Sequence, residues 1–135
     1  KKQISSLIKL CKKLIKKYKI NKKNIVGHSD VSPLRKFDPG EKFPWMHLAK
    51  NKIGVWHDYE LFILKKFRRV KVLAKQSKKK FIGNLNKFGY CLSTKNNRFF
   101  VKTVKAFQRH FRKELINGIL DLECSIIAQN LTKKL

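Results

Sequence analysis

With 135 residues and a mass of 16.0 kDa, the chain has room for one ordinary domain or two very small ones. Apolar residues at 42% and aromatics at 11% are enough for a packed core and exclude a disordered chain, and no run of about 18 uncharged apolar residues is present to form a transmembrane helix. Lysine and arginine number 34 against 8 acidic residues, a formal charge of +26, which raises the question of a polyanionic partner.

Residues 3–18 read as a helix: Ile4, Leu7, Ile8, Cys11, Leu14, Ile15 and Tyr18 recur at steps of three and four, with lysines on the opposite face. A turn at Asn21–Asn24 leads into Ile25-Val26-Gly27-His28, a short apolar run that predicts a buried strand. Pro33, Pro39, Gly40 and Pro44 make residues 29–44 a structured loop. A short helix follows over 45–50, with Pro44 near its start, and then an irregular stretch to Asp58. Residues 59–80 are basic and weakly periodic, a helix or connecting arm. Phe81, Ile82, Leu85 and Phe88 predict a short helix stopped by Gly89. Phe100, Val104, Phe107 and Phe111 predict an amphipathic helix over about 96–112, with the two last phenylalanines in its core face. Asn117-Gly118 marks a turn, and Asp121 is placed to cap a last helix carrying Leu122, Ile126, Ile127 and Leu131. Residues 81–135 thus form a three-helix module, separate from residues 1–58. No internal repeat is evident.

The makeup of the charge argues against nucleic acid. It consists of 28 lysines and only 6 arginines, beside 12 isoleucines, 9 asparagines and 4 alanines. Nucleic-acid readers lean on arginine for bidentate contacts, whereas this profile fits an AT-rich genome that writes lysine wherever a surface tolerates it. Anionic cell-wall polymers would suit the charge equally. Cys11, Cys91 and Cys124 are far apart and form no Cys-x-x-Cys; Cys11 and Cys124 fall within apolar helical patterns and read as small buried hydrophobes. No charged-then-apolar leader opens the chain. Residue 1 is Lys and the one methionine is Met46, so the sequence reads as a fragment or the tail of something longer.

The chemistry concentrates in Gly27-His28-Ser29-Asp30-Val31-Ser32-Pro33-Leu34-Arg35-Lys36-Phe37-Asp38-Pro39-Gly40. A proline-pinned loop of this length can return to its start and bring Asp38 beside His28. Imidazole and carboxylate suit zinc, whose catalytic sites take three protein ligands and leave one position for water; a nearby cation could stabilise an oxyanion. On residue types alone, a capped, hydrogen-bonded loop is the more ordinary outcome.

The stretch resembles the second metal-ligand motif of the zinc-dependent N-acetylmuramoyl-L-alanine amidases of the type 2 amidase family, relatives of the peptidoglycan recognition proteins, whose pattern runs roughly G-H-S-D-x-x-P-x-R-K-x-D-P-G. His28, Asp30, Pro33, Arg35, Lys36, Asp38, Pro39 and Gly40 fall on it. Phe88-Gly89-Tyr90, Ala106-Phe107-Gln108-Arg109-His110-Phe111-Arg112, Asn117-Gly118 and Asp121 resemble the peptidoglycan-binding helical module that some members append.

The resemblance implies an α/β (α+β) fold: residues 1–58 as the C-terminal part of an amidase mixed-sheet domain with flanking helices, 59–80 as a connecting arm, and 81–135 as the three-helix module. It implies zinc held by His28 and Asp38, Lys36 as the cation that stabilises the transition state, and Asp30 and Arg35 as residues that pin the loop behind the ligands. The reaction implied is hydrolysis of the amide between the lactyl group of muramic acid and L-alanine, on peptidoglycan or muropeptides; the resembling members include cytoplasmic and envelope-attached enzymes, and the bacterial envelope or periplasm is favoured over the cytoplasm. Trp45 and Trp56 read as loop packing. His47, His57 and His110 fall at no ligand position of the family. The family's first zinc histidine and its general-base glutamate come from an N-terminal half that the resemblance does not cover, so that half is an expected partner. The alternatives are an inactive remnant that binds peptidoglycan through residues 81–135, and a polyanion-binding basic protein.

Overall fold

The computed structural model describes residues 2–72, 75–90 and 97–134; Cys91 lies outside them. The elements are α1 (Lys2–Tyr18), a single 3-10 turn (Lys22–Asn24), α2 (His28–Val31), α3 (Trp45–Lys50), α4 (Leu61–Lys65), α5 (Lys75–Lys87), α6 (Asn97–Phe111) and α7 (Leu122–Thr132). No helix among the described residues is long and apolar enough to cross a membrane.

The expected mixed sheet is not found. The described residues hold no strand, only an isolated antiparallel bridge between Lys71 and Asp121. The segment predicted as a strand, Ile25 to His28, shows why. Its backbone is extended at Ile25 (φ −97°, ψ 100°) and Gly27 (φ −87°, ψ 162°), so the local apolar signal is expressed. A strand also needs a ladder partner, and no described segment supplies one. The Asp30 carboxylate instead accepts the Gly27 N–H at 2.8 Å, and α2 begins at His28. Among the described residues the fold is helical, and the α/β assignment is corrected accordingly.

Four helices, α1, α3, α6 and α7, fall where the sequence predicts them, while α2 lies in a stretch read as a loop. α1 turns Ile4, Leu7, Ile8, Cys11 and Ile15 to a half-buried stripe, whereas Leu14 and Tyr18, expected on the same face, are exposed with the lysines. α3 begins after Pro44 and buries Trp45 and Leu48. α5 starts six residues before the predicted Phe81, because its first turns are lysine-rich and carry no apolar period. It ends as predicted: Gly89 adopts φ +102°, its N–H reaches the Asn86 carbonyl, and the Tyr90 N–H reaches the Leu85 carbonyl at 2.9 Å. These two bonds close the helix C-terminus in a Schellman motif and deliver Tyr90 to the interior, where it is 3% exposed. α6 supplies Phe100, Val104, Phe107 and Phe111 to the main apolar cluster, which also takes Leu64, Phe81, Leu85, Ile127 and Leu131. Asp121 caps α7, its side chain accepting from the Cys124 N–H at 3.0 Å.

Beside this cluster lies a buried ionic one. Arg112 pairs with Asp121 at 2.5 Å and Glu123 at 3.0 Å, and Arg68 grips Glu123 through two hydrogen bonds of 2.8 Å. These contacts fasten the segment after α4 and the end of α6 to the start of α7. Val55, from the first half of the chain, packs into the same apolar cluster as α5, α6 and α7.

Candidate metal site

The loop between α2 and α3 returns on itself as its prolines predict. The Ser29 N–H donates to the Asp38 carbonyl at 2.9 Å, so Asp38 sits beside the first turn of α2. His28 Nδ1 and Asp38 Oδ2 are in direct hydrogen-bond contact, and both side chains face solvent. The His28 hydrogen bond is the main cause that holds the Asp38 carboxyl below its ordinary range; the Lys36 ammonium adds a smaller effect. An ionised carboxylate only accepts, so Nδ1 carries the proton in this contact. The two ligands that the resemblance implies are therefore brought together, with Lys36 on the same exposed loop.

Close packing behind this pair requires glycine at position 27. A Cβ there would come within 2.6 Å of Pro39 Cδ and 3.2 Å of the Trp45 ring. The first contact is shorter than real side chains tolerate, so Gly27 lets the strand-like segment, the Pro39 turn and α3 meet.

Asp30 points the other way, into the protein. Its carboxylate is buried and accepts three hydrogen bonds: from Gly27 N–H at 2.8 Å, from the Tyr90 hydroxyl at 2.5 Å and from His110 Nδ1 at 2.7 Å. Burial alone would raise its pKa, but the His110 ring and these hydrogen bonds outweigh it and hold the group below its ordinary value. The Tyr90 hydroxyl is pushed well above 10, by burial and then by the Asp30 charge, so it stays a donor. Arg35 is exposed and its Nε reaches Ser32 Oγ at 3.2 Å within the loop.

The remaining candidates fall elsewhere. His47 is exposed on α3. His57 is buried beside Trp56, and burial lowers its pKa. Trp45 is buried, stacks on His110 at 3.9 Å and meets Phe43 edge-on at 4.7 Å, while Trp56 packs against Phe111 at 5.6 Å. Tyr90 and His110 are the residues that sequence reasoning did not connect to the loop. They lie 60 and 80 positions from Asp30, and no local spacing encodes such a contact.

The donor chemistry can be tested against zinc. One imidazole nitrogen and one carboxylate oxygen, adjacent and open to solvent, are two donors that zinc accepts. Among the described residues no third histidine, cysteine or carboxylate joins them. A cavity of about 300 Å³ adjoins the pair, lined by Leu7 and Cys11 of α1 together with Val26, His28 and Asp38. Among the described residues the pair thus offers two donors that suit zinc, one short of the usual three.

Comparison with known proteins finds amidases among the relatives of this chain. Residues 1–41 match the family model described as N-acetylmuramoyl-L-alanine amidase. The chain is 35% identical over 136 residues to N-acetylmuramoyl-L-alanine amidase AmiD of Escherichia coli (strain K12), covering 98% of the chain and 48% of AmiD. It is 52% identical over 44 residues to 1,6-anhydro-N-acetylmuramyl-L-alanine amidase AmpD of Haemophilus influenzae, covering 32% of the chain and 24% of AmpD. Among solved structures, AmiD from E. coli in complex with the substrate anhydro-N-acetylmuramic acid-L-Ala-D-gamma-Glu-L-Lys superposes with a TM-score of 0.82 at 34% identity, over 98% of this chain and 51% of that one. AmpDh3 from Pseudomonas aeruginosa superposes with a TM-score of 0.81 at 33% identity, over 98% of this chain and 52% of that one. The chain spans about half the length of AmiD. These likenesses are to N-acetylmuramoyl-L-alanine amidases, over residues 1–41 for the family model and over nearly the whole chain for AmiD.

Proposed function

We propose that the chain is the part of a zinc-dependent N-acetylmuramoyl-L-alanine amidase that carries two of the three zinc ligands, His28 and Asp38. The observation that carries the reading is the direct contact of His28 Nδ1 with Asp38 Oδ2 on an exposed loop beside a cavity. The third ligand and the general base then come from the part of the amidase fold outside these residues. The likeness to AmiD along nearly the whole chain supports this division, since the match takes in about half of AmiD.

Zinc held here would supply Lewis acidity to the amide carbonyl and lower the pKa of water. The chain's own residues do the rest. Asp38, fixed by the Ser29 N–H on its carbonyl, holds its carboxylate against His28. Lys36 puts an ammonium two residues from Asp38, where negative charge develops on the carbonyl oxygen. Arg35, bonded to Ser32, keeps the loop turned so that Lys36 and Asp38 stay together. The substrate class is the amide between muramic acid and L-alanine in muropeptides or peptidoglycan, supported by the anhydro-muropeptide bound in the AmiD complex. The proposed location is the envelope or periplasm, and residues 81–135 are proposed as an appended peptidoglycan-binding module.

The test joins this chain to the part of AmiD outside the match and measures release of peptide from anhydro-N-acetylmuramyl-L-alanyl peptides. Cleavage that needs zinc and disappears in His28→Ala supports the reading. Full cleavage by the His28→Ala form refutes the ligand role.

A second reading is an inactive peptidoglycan-binding remnant, favoured by the missing third donor among the described residues. Saturable co-sedimentation of the chain with purified sacculi in moderate salt, without zinc-dependent cleavage by the joined protein, would select it. A polyanion-binding role is not favoured. Three of the six arginines, Arg68, Arg109 and Arg112, are engaged by Glu and Asp partners, and steeply salt-dependent DNA binding would be needed to revive it.

A further inference from the structure

The second half of the chain holds the metal loop and its exit at several points, most of them on α6. His110 and Tyr90 bond the Asp30 carboxylate. Arg109 Nε reaches Glu41 at 2.9 Å, one residue beyond Gly40. The cations of Lys102 and Arg109 lie 5.2 and 5.4 Å from the centre of the Phe37 ring, within the range of cation–π attraction. Trp45, just beyond the loop, stacks on His110. Four successive points of the loop and its exit, at residues 30, 37, 41 and 45, are thus gripped from one helix.

We propose that Tyr90 and His110 are positioning residues for the His28–Asp38 pair, acting through Asp30. The reading rests on the assignment of that pair as zinc ligands. The route is short. Tyr90 and His110 fix the Asp30 carboxylate, which holds the Gly27 N–H and so sets the first turn of α2 at His28. The next residue, Ser29, holds the Asp38 carbonyl. Both ligands therefore hang from a turn whose orientation is decided in the helical half. Charge-assisted bonds to a buried carboxylate are strong and directional, and groups hydrogen-bonded behind metal ligands commonly set their orientation. On this account residues 81–135 do more than bind polymer: without them the loop loses its anchor.

The experiment uses the full chain without metal. Ring nitrogens of His28 are followed by long-range proton–nitrogen correlation, assigned by their loss in His28→Asn, and backbone amide exchange is followed at Ser29 and in α7. Tyr90→Phe removes one oxygen, and His110→Phe keeps the stack on Trp45 while removing the donor. Both are expected to shift the His28 Nδ1 signal away from its hydrogen-bonded position. Both are also expected to speed Ser29 exchange by about tenfold or more while α7 amides keep their protection, because the opening is local. His110→Asn, which puts a side-chain N–H where Nδ1 was, is expected to restore both signals. Unchanged His28 signals, or exchange that rises equally in α7 and at Ser29, would make the two residues merely structural and overturn the proposal. If His110→Phe does not fold, Tyr90→Phe decides alone. Because no zinc enters the measurement, failure here is separate from failure of the zinc assignment, which the metal-content measurement addresses.

Discussion

Arg112 and Glu123 form a salt bridge of 3.0 Å in which the two side chains are 1% and 0% exposed. Arg112 also holds Asp121, the N-cap of α7, at 2.5 Å. Taking one member out of such a cluster strands the others' charge in the interior. Arg112→Met is therefore expected to destabilise the chain by about 3–5 kcal/mol, read by urea unfolding. Both contacts are made by Arg112 Nη1, so Arg112→Lys, which keeps one cationic nitrogen, is expected to recover part of this loss. A loss below about 1 kcal/mol in Arg112→Met would show that Arg68 alone satisfies Glu123.

Gly27→Ala tests the close approach behind the metal loop. The added methyl would meet Pro39 Cδ at 2.6 Å and the Trp45 ring at 3.2 Å. Displacing ring and helix is expected to cost about 1–3 kcal/mol, the usual range for overpacking, with a lower Tm in thermal unfolding. The φ of −87° at this position is open to any residue, so the loss would come from contact alone. An unchanged Tm would mean that the Pro39 turn moves freely.

The legibility of this protein divides along the distance between interacting residues. Local features could be read: the α1 stripe, the Pro44 start of α3, the Gly89 stop of α5 and the Asp121 cap of α7 each depend on neighbours within a few positions. The approach of Asp38 to His28 was open to a loop pinned by Pro33 and Pro39, and the resemblance singled that pair out. Two kinds of feature were not legible. A strand depends on a partner segment, so the extended run at 25–27 predicted a sheet that the described residues do not build. The bonds from Asp30 to Tyr90 and His110 depend on how α5 and α6 pack against the loop, and the apolar period of α6 says nothing about its polar neighbour His110.

His57 makes stability depend on pH. It is 5% exposed, and burial lowers its pKa below the ordinary 6.5 while the Phe111 and Tyr59 backbone partly offsets the effect. The folded chain thus prefers the neutral ring. The unfolded chain takes up the proton first as pH falls below 6.5, so this contribution is complete above 6.5 and is lost on acidification towards the folded value. The slope is at most about 1.4 kcal/mol per pH unit. Urea unfolding between pH 5 and 8 should show it for the parent chain, and His57→Gln should flatten it. An equal slope in the variant would assign the dependence to other groups.

The most direct test of the account is zinc content after loading and exhaustive dialysis. It is measured on this chain, on the chain joined to the part of AmiD outside the match, and on the Asp38→Ala form of each. The account predicts little retained zinc on the chain alone, about one zinc per molecule on the joined protein, and its loss in Asp38→Ala. A joined protein that keeps its zinc without Asp38, or a chain that alone holds one zinc, would contradict the assignment of His28 and Asp38 as two ligands of a site completed from outside these residues.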